Sequence, residues 1–173
     1  MSRHRSPRSD RAARRRTTWA AFQEHVTLAA PTDYFTFDLL ANFKADGGVT
    51  QGVTIARTHF TVAVSTQPDP GDTFTFGLIR GQGVDVGLNI AGAPVPSVDP
   101  YDDWLLWQYR GASINGAGHG EYFPGGSNQQ NFDLKAMRRL EELQMTYNMV
   151  VQNVTASSPF EVYTFGRILL MLP

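Results

Sequence analysis

Short segments in which apolar and polar residues alternate, separated by glycine- and proline-rich turns, dominate the sequence. Residues 73–80 place Phe74, Phe76 and Leu78 on one side of an extended chain, and residues 84–90 repeat the pattern. A period of two puts alternate side chains on one face of a β-strand. The turns recur too often for long helices, so the pattern predicts an all-β fold.

The strand pattern occurs eight times, with no clear crossover helix between the segments. This excludes a parallel α/β layout and leaves a sandwich or a barrel. Connections of unequal length favour an eight-stranded antiparallel jelly-roll sandwich, in which two four-stranded sheets pack face to face. The predicted strands are residues 33–43, 52–65, 73–80, 84–90, 103–110, 132–143, 143–153 and 160–172.

The sequence allows two interpretations for each of two segments. Residues 17–32 form either a short helix, from Trp19 to His25, or a strand that links the N-terminus to the body. Residues 132–143 have helical spacing of their leucines and good helix formers, although the surrounding β pattern favours a strand. Residues 91–100, with three prolines, and residues 111–130, with six glycines, are predicted loops, the second long and exposed.

The first 16 residues carry nearly half of the basic groups of the chain. They hold seven arginines and one acid, a net charge of +6, whereas the remaining residues hold eight basic and 15 acidic groups, a net charge of −7. The segment contains no Leu, Ile, Val or aromatic residue, so it cannot bury enough apolar surface to offset its ordering entropy. Residues 1–16 are therefore predicted to be a disordered basic arm.

Every cation of the arm is arginine, which binds phosphate bidentately, and this favours nucleic acid as the partner. A solvated tail without a partner, a mitochondrial transit peptide and a nuclear-localisation patch are the alternatives. The arm has no aromatic residue for stacking, so base-specific readout is not expected, and a single-stranded or a duplex partner stays open. The predicted nucleic-acid-binding residues are Arg3, Arg5, Arg8, Arg11, Arg14, Arg15 and Arg16.

Residues that could carry catalysis or bind a metal are scattered. The chain has no cysteine, and its four histidines lie far apart in sequence without an H-x-H pair. Asp99, Asp102 and Asp103 could bind calcium, but we interpret them as an acidic turn. The glycine-rich residues 116–120 lack the Lys-Ser/Thr ending of a phosphate-binding loop. We therefore predict no catalytic residue, metal or cofactor, and a chain that is not an enzyme.

The chain is predicted to have no membrane partner, because its longest apolar run, residues 168–172, is five residues long.

An arginine-rich arm, Arg3 to Arg16, followed by an antiparallel strand series over residues 33–172, resembles the single jelly-roll capsid proteins of small icosahedral viruses. The segments 133–143 and 167–173 are also similar to capsid sequences of uncultured small viruses. The resemblance implies a shell domain, residues 33–173, that self-assembles into an icosahedral capsid. It also implies that the arm binds the packaged RNA or DNA genome without sequence specificity, and that the protein is located in the virion.

The acidic body is expected to keep the outer surface of the shell from binding nucleic acid itself. The alternative function is a β-sandwich binding module, lectin-like or a spike component, whose basic tail serves solubility or targeting.

Overall fold

The computed structural model describes residues 16–31, 33–64, 69, 71–81, 104–114, 120–123, 128–140, 146–155 and 159–173. They form ten strands and one short helix. The elements are β1 (Thr17–Leu28), β2 (Tyr34–Asp38), α1 (Ala41–Ala45), β3 (Thr54–Val64), β4 (Thr73–Gly81), β5 (Trp104–Gly111), β6 (Ser113–Ile114), β7 (Gly120–Glu121), β8 (Gln129–Arg139), β9 (Thr146–Asn153) and β10 (Phe160–Met171). No helix in the described part of the chain is long and apolar enough to cross a membrane.

Eight of the strands form two four-stranded antiparallel sheets. The strand order is β1-β10-β3-β8 in sheet I and β2-β9-β4-β5 in sheet II, while β6 and β7 form a separate small hairpin. Most consecutive strands therefore alternate between the two sheets, and the N- and C-terminal strands pair within sheet I. This connectivity is that of a jelly roll, which confirms the fold class predicted from the sequence.

The core lies between the inner faces of the two sheets. Phe60 of sheet I stacks on Phe132, with ring centroids 4.8 Å apart, and Phe132 meets the edge of Phe76 from sheet II at 5.2 Å. A fully buried polar contact joins the sheets inside this core: the hydroxyls of Tyr147 and Thr58 lie 2.9 Å apart.

The two segments for which the sequence allowed either a helix or a strand, residues 17–32 and 132–143, both contribute strands. Residues Thr17–Leu28 form the edge strand β1, which pairs with β10 along its whole length, so it belongs to the sandwich. Ala20 and Phe22 are buried there. Residues Gln129–Arg139 form β8, paired with β3, because tertiary pairing outweighs the local helix propensity.

The predicted strand over residues 33–43 is shorter in the structure and is followed by α1. Asp38 ends it: its carboxylate accepts a hydrogen bond from the Leu40 N–H at 3.1 Å and pairs with Lys44 Nζ at 2.6 Å. The predicted strand over residues 84–90 and the loop 91–100 lie outside the described residues. The sandwich still has eight strands, because β1 is one of them.

The expectation of an exposed loop over residues 111–130 is wrong in part. Tyr122 and Phe123 are buried, and their rings meet the edge of Phe74 at 4.7 and 6.0 Å. Burying the large apolar surface of these two rings is favourable, so Tyr122 and Phe123 close one part of the core. The surrounding glycines hid that role in the sequence.

The two central strands of sheet II are buried on both faces, whereas sheet I is open to solvent on one. In β4 every residue from Thr73 to Ile79 is buried, and in β9 every residue from Tyr147 to Asn153. Along β10, by contrast, buried and more exposed residues alternate. The outer face of sheet I is therefore more open to solvent than the centre of sheet II, although Tyr34 and Phe35 on the edge strand β2 are also exposed.

Candidate nucleic-acid interface

Strand pairing arranges the outward side chains of sheet I in rows that cross β1, β10, β3 and β8 in that order. One row holds Trp19, Leu169, Arg57 and Lys135, and the next holds Ala21, Arg167, His59 and Asp133. A third row holds Gln23, Phe165, Thr61 and Asn131, and a fourth holds His25, Tyr163, Ala63 and Gln129. We call this surface the row face.

Charge is distributed unevenly over the body. The strands of sheet I hold five basic and three acidic residues, a net charge of +2, with histidine counted as neutral. The rest of residues 17–173 hold three basic and twelve acidic residues, a net charge of −9. Sheet I is therefore positive in net charge within an acidic body.

The basic residues of sheet I gather at the end where the chain enters β1. Because the strands are antiparallel, the start of β1 lies beside the ends of β10 and β8 and the start of β3. The Arg16 carbonyl accepts a hydrogen bond from the Leu172 N–H at 2.7 Å, which ties the entry point to β10. The exposed side chains of Arg138 and Arg139 lie at this same end of β8.

Of the predicted nucleic-acid-binding residues, the structure describes Arg16 alone. It is exposed and lines a pocket of about 460 Å³ together with Phe43, Val49 and Pro173. Arg3, Arg5, Arg8, Arg11, Arg14 and Arg15 lie outside the described residues, as do Asp99, Asp102 and Asp103. The binding role of the arm stays a prediction.

Arg167 and Trp19 form the strongest aromatic-cation contact of the row face. The Arg167 guanidinium carbon lies 4.5 Å from the centre of the Trp19 ring, and Trp19 is 44% exposed. In the described ranges no carboxylate forms an ion pair with Arg167. Stacking on an indole holds the guanidinium flat and leaves its N–H groups free to bind an anion.

Arg57 is instead neutralised by Asp133 across the β3–β8 pair. Arg57 Nε donates to Asp133 Oδ1 at 2.7 Å, and a second contact joins Nη2 to Oδ2. The pKa of Asp133 is lowered, first by the hydrogen bond from Arg57, and that of Arg57 is raised by the same bond. His59 Nδ1 lies 3.3 Å from the same carboxylate.

The far end of the row face is acidic and aromatic. The rings of His25 and Tyr163 stack at 4.2 Å, and the Tyr163 hydroxyl donates to Glu161 at 3.0 Å. This hydrogen bond to a carboxylate raises the pKa of the Tyr163 hydroxyl. The row face thus runs from basic at the arm end to acidic at the opposite end.

Sequence reasoning missed Arg57, Lys135, Arg167, Trp19 and Phe165 as site residues. Averaging charge over the body concealed them, because the body as a whole is acidic. The period-two pattern that marks the buried faces of β1, β3, β8 and β10 also places these residues on the opposite face. Applying strand alternation to charge would have identified the basic face, but not which strands are neighbours.

Among the described residues no group of three or more histidines and carboxylates could hold a metal ion.

No protein-family model matches the chain, and no curated protein matches it. Several solved structures of viruses or capsid proteins are similar to it in strand arrangement. They include turnip yellow mosaic virus (12% identity, TM-score 0.43, covering 100% of this chain and 86% of that chain). The decameric BFDV capsid protein has 11% identity and a TM-score of 0.45, covering 92% and 100%. Cocksfoot mottle virus has 11% identity and a TM-score of 0.38, covering 99% and 96%.

These structures are too distant from the chain to identify its fold or its function. The fold is therefore assigned from the strand order of this chain. The chain is a two-sheet jelly roll in which sheet I presents an exposed basic end beside the root of an arginine-rich arm, and the three solved structures named above are those of two viruses and one capsid protein.

Proposed function

We propose that the chain is a structural capsid protein, whose jelly-roll body self-assembles into a closed icosahedral shell in the virion. The arginine-rich arm and the basic end of sheet I then face the packaged genome. The observation that carries this proposal is the position of the charge. A leader of net charge +6 joins an otherwise acidic body at the basic end of sheet I.

Binding by the arm is electrostatic in this proposal. Arginines that neutralise phosphates release condensed counterions, which gives affinity without sequence preference and with strong salt dependence. One arm of seven arginines binds weakly, but many arms displayed on one shell act together through their effective concentration. No catalytic role is assigned to the chain.

Particle size of the purified chain tests the proposal directly. We expect megadalton shells by size-exclusion chromatography and negative-stain electron microscopy, and nuclease-protected nucleic acid inside them. A chain that stays a monomer or a small oligomer under all assembly conditions would contradict it.

The arm is tested in the full-length chain by replacing its seven arginines with glutamine. We expect these particles to lose most of the protected nucleic acid. A variant with the same seven positions changed to lysine is the matched control, because it keeps the charge. If the glutamine variant packaged as much nucleic acid as the unchanged chain, the role of the arm would be wrong.

The second candidate is the β-sandwich binding module with a basic tail. The open row face favours it, since a surface of this kind also suits a ligand on a monomeric protein. A stable monomer that retains ligand binding on that face would support this function over the shell.

A further inference from the structure

We propose that the row face contains a subsite for the unpaired bases of single-stranded nucleic acid, centred on Phe165. The inference rests on the proposed function and names the form of nucleic acid that the body binds. It assigns the contacts with bases to sheet I, whereas the arm contributes only positive charge.

Phe165 offers an open aromatic face at the centre of the sheet. Its side chain is 45% exposed, although Phe165 lies on β10, an interior strand of the sheet with β1 and β3 on either side. No ring of the described residues stacks on it. An exposed ring in this position is available to stack on a flat apolar ligand such as a base.

A groove of about 640 Å³ runs beside this ring. Beside the ring its polar lining comes from Gln23, Thr61 and Asn131, which are uncharged and can each form hydrogen bonds. His59 and Arg167 line its basic side. The Thr61 hydroxyl donates to Asn131 Oδ1 at 2.6 Å, which fixes the orientation of that amide. Stacking on Phe165 would bring the edge of a base toward these hydrogen-bonding groups.

A cation for the phosphate lies on the same strand and the same face. Arg167 is two residues from Phe165, a separation of about 7 Å along a strand, which one nucleotide spans between its base and its phosphate. Arg167 also lines the groove and is held against Trp19. Lys135 adds a second exposed positive charge at the basic end of the face.

The occupant follows from charge and exposure together. The net charge of sheet I is +2 against −9 for the rest of the body, so a polyanion is the complementary partner. In a duplex the faces of the bases are already stacked, whereas a single strand can place them on an aromatic side chain. The face also continues into the entry point of the arm at Arg16, so one strand can contact both.

Photo-crosslinking separates this subsite from the arm, because the arm contains no aromatic residue. Full-length chain, dissociated into subunits, is mixed with a single-stranded oligonucleotide that carries 5-iododeoxyuridine, irradiated and digested. We expect crosslinks on the peptide that contains Phe165. A duplex of the same length, with the same modified base, should give few.

Affinity is measured on the same subunits by fluorescence anisotropy with an unmodified labelled single strand. We expect Phe165→Leu to weaken binding about tenfold, the effect of losing one stacked base. We expect Arg167→Gln to weaken it also. Tyr34→Leu is the matched control: Tyr34 is 51% exposed on β2, outside the row face, and its loss should leave binding unchanged.

Several outcomes would overturn the subsite. They are crosslinks confined to peptides other than that of Phe165, equal affinity for the Phe165→Leu variant, or a duplex that binds with the same dependence on Phe165. Loss of particle assembly in Phe165→Leu with unchanged crosslinks and affinity would assign the face to contact between copies of the chain instead. Particles that form and package nucleic acid while these tests fail would leave the proposed function standing without the subsite.

Discussion

At the scale of single residues, the contact between Tyr147 and Thr58 is the most informative in the core. It is a buried hydrogen bond between two hydroxyls, 2.9 Å apart, that joins sheet II to sheet I. A buried hydroxyl without a partner costs more than the bond itself contributes, because its desolvation is no longer compensated. The pair thus favours one alignment of the two sheets.

Tyr147→Phe is expected to lower the free energy of unfolding by about 1–2 kcal/mol, because it leaves the Thr58 hydroxyl buried and unpaired. Denaturant unfolding of dissociated subunits measures this. Adding Thr58→Val to the phenylalanine variant should cost little more, since both polar partners are then absent. A second loss as large as the first would contradict the coupling.

Tyr147 also predicts how stability changes at high pH. Burial raises the pKa of its hydroxyl above the usual value, although the hydrogen bond with Thr58 acts in the opposite direction, and burial likewise raises the pKa of Tyr122. A group whose pKa is raised on folding contributes stability below its unfolded pKa, about 10 for tyrosine, and loses it as the pH rises further. We expect the free energy of unfolding to fall above about pH 10, and less steeply in Tyr147→Phe. Equal pH dependence in the two proteins would contradict this assignment.

At the scale of secondary-structure elements, Gly166 controls how closely β10 and β3 approach. It lies in register between Phe22 of β1 and Phe60 of β3. A Cβ atom added there would meet the His59 carbonyl oxygen at 2.1 Å and the Phe60 Cα at 2.8 Å. Both are backbone atoms that cannot move without separating the strands.

Gly166→Ala is therefore expected to destabilise the subunit by roughly 3 kcal/mol, the upper part of the range for overpacked sites. Thermal unfolding measures the loss. Gly111→Ala is the control, because its added Cβ would meet only the Thr73 methyl group at 3.7 Å, an ordinary contact. Similar losses in the two variants would show that close approach is not the cause.

The pair of Arg57 and Asp133 predicts an acid-dependent link between β3 and β8. Because the pKa of Asp133 is lowered on folding, its contribution is present above the usual carboxyl pKa, about 3.9, and is lost as the pH falls through the lowered value. We expect Asp133→Asn to be less stable than the unchanged chain at pH 7. The two should converge as the pH falls below that lowered pKa, and a difference that persisted there would contradict the prediction.

Elements formed by interactions between residues close in sequence could be predicted, whereas those that depend on pairing with distant strands could not. Local alternation over residues 73–80 and 143–153 predicts two strands, and the structure contains them as β4 and β9. The segment 17–32 stayed open because a helix and an edge strand are similar in local propensity, and only pairing with β10 selects the strand. Tyr122 and Phe123 were assigned to a loop because their glycine-rich neighbours gave no periodicity.

At the scale of the whole molecule, charge segregation predicts how binding depends on salt. Each phosphate neutralised by an arginine contributes about 0.7–0.9 to the slope of log affinity against log salt. Replacing the seven arm arginines with glutamine is expected to reduce that slope by up to roughly five to six. Anisotropy titrations of a labelled oligonucleotide at several salt concentrations measure it. An unchanged slope would place the phosphate contacts elsewhere, and the lysine variant should keep the original slope.

The sequence by itself determined the fold class and the unequal division of charge between the N-terminal segment and the body. Both follow from patterns that are local along the chain: side-chain alternation with a period of two, and a run of arginines without apolar residues. The jelly-roll class then follows from the number of strands and the unequal lengths of their connections.

Only the tertiary structure decided that one sheet face is basic and where its basic end lies. Arg57 and Asp133 meet although they are 76 residues apart in sequence, and Arg167 reaches Trp19 because β1 pairs with β10. Such neighbours depend on strand order and register, which are set by the packing of two whole sheets rather than by any one segment. The row face, and the site proposed on it, therefore exist only in the folded chain.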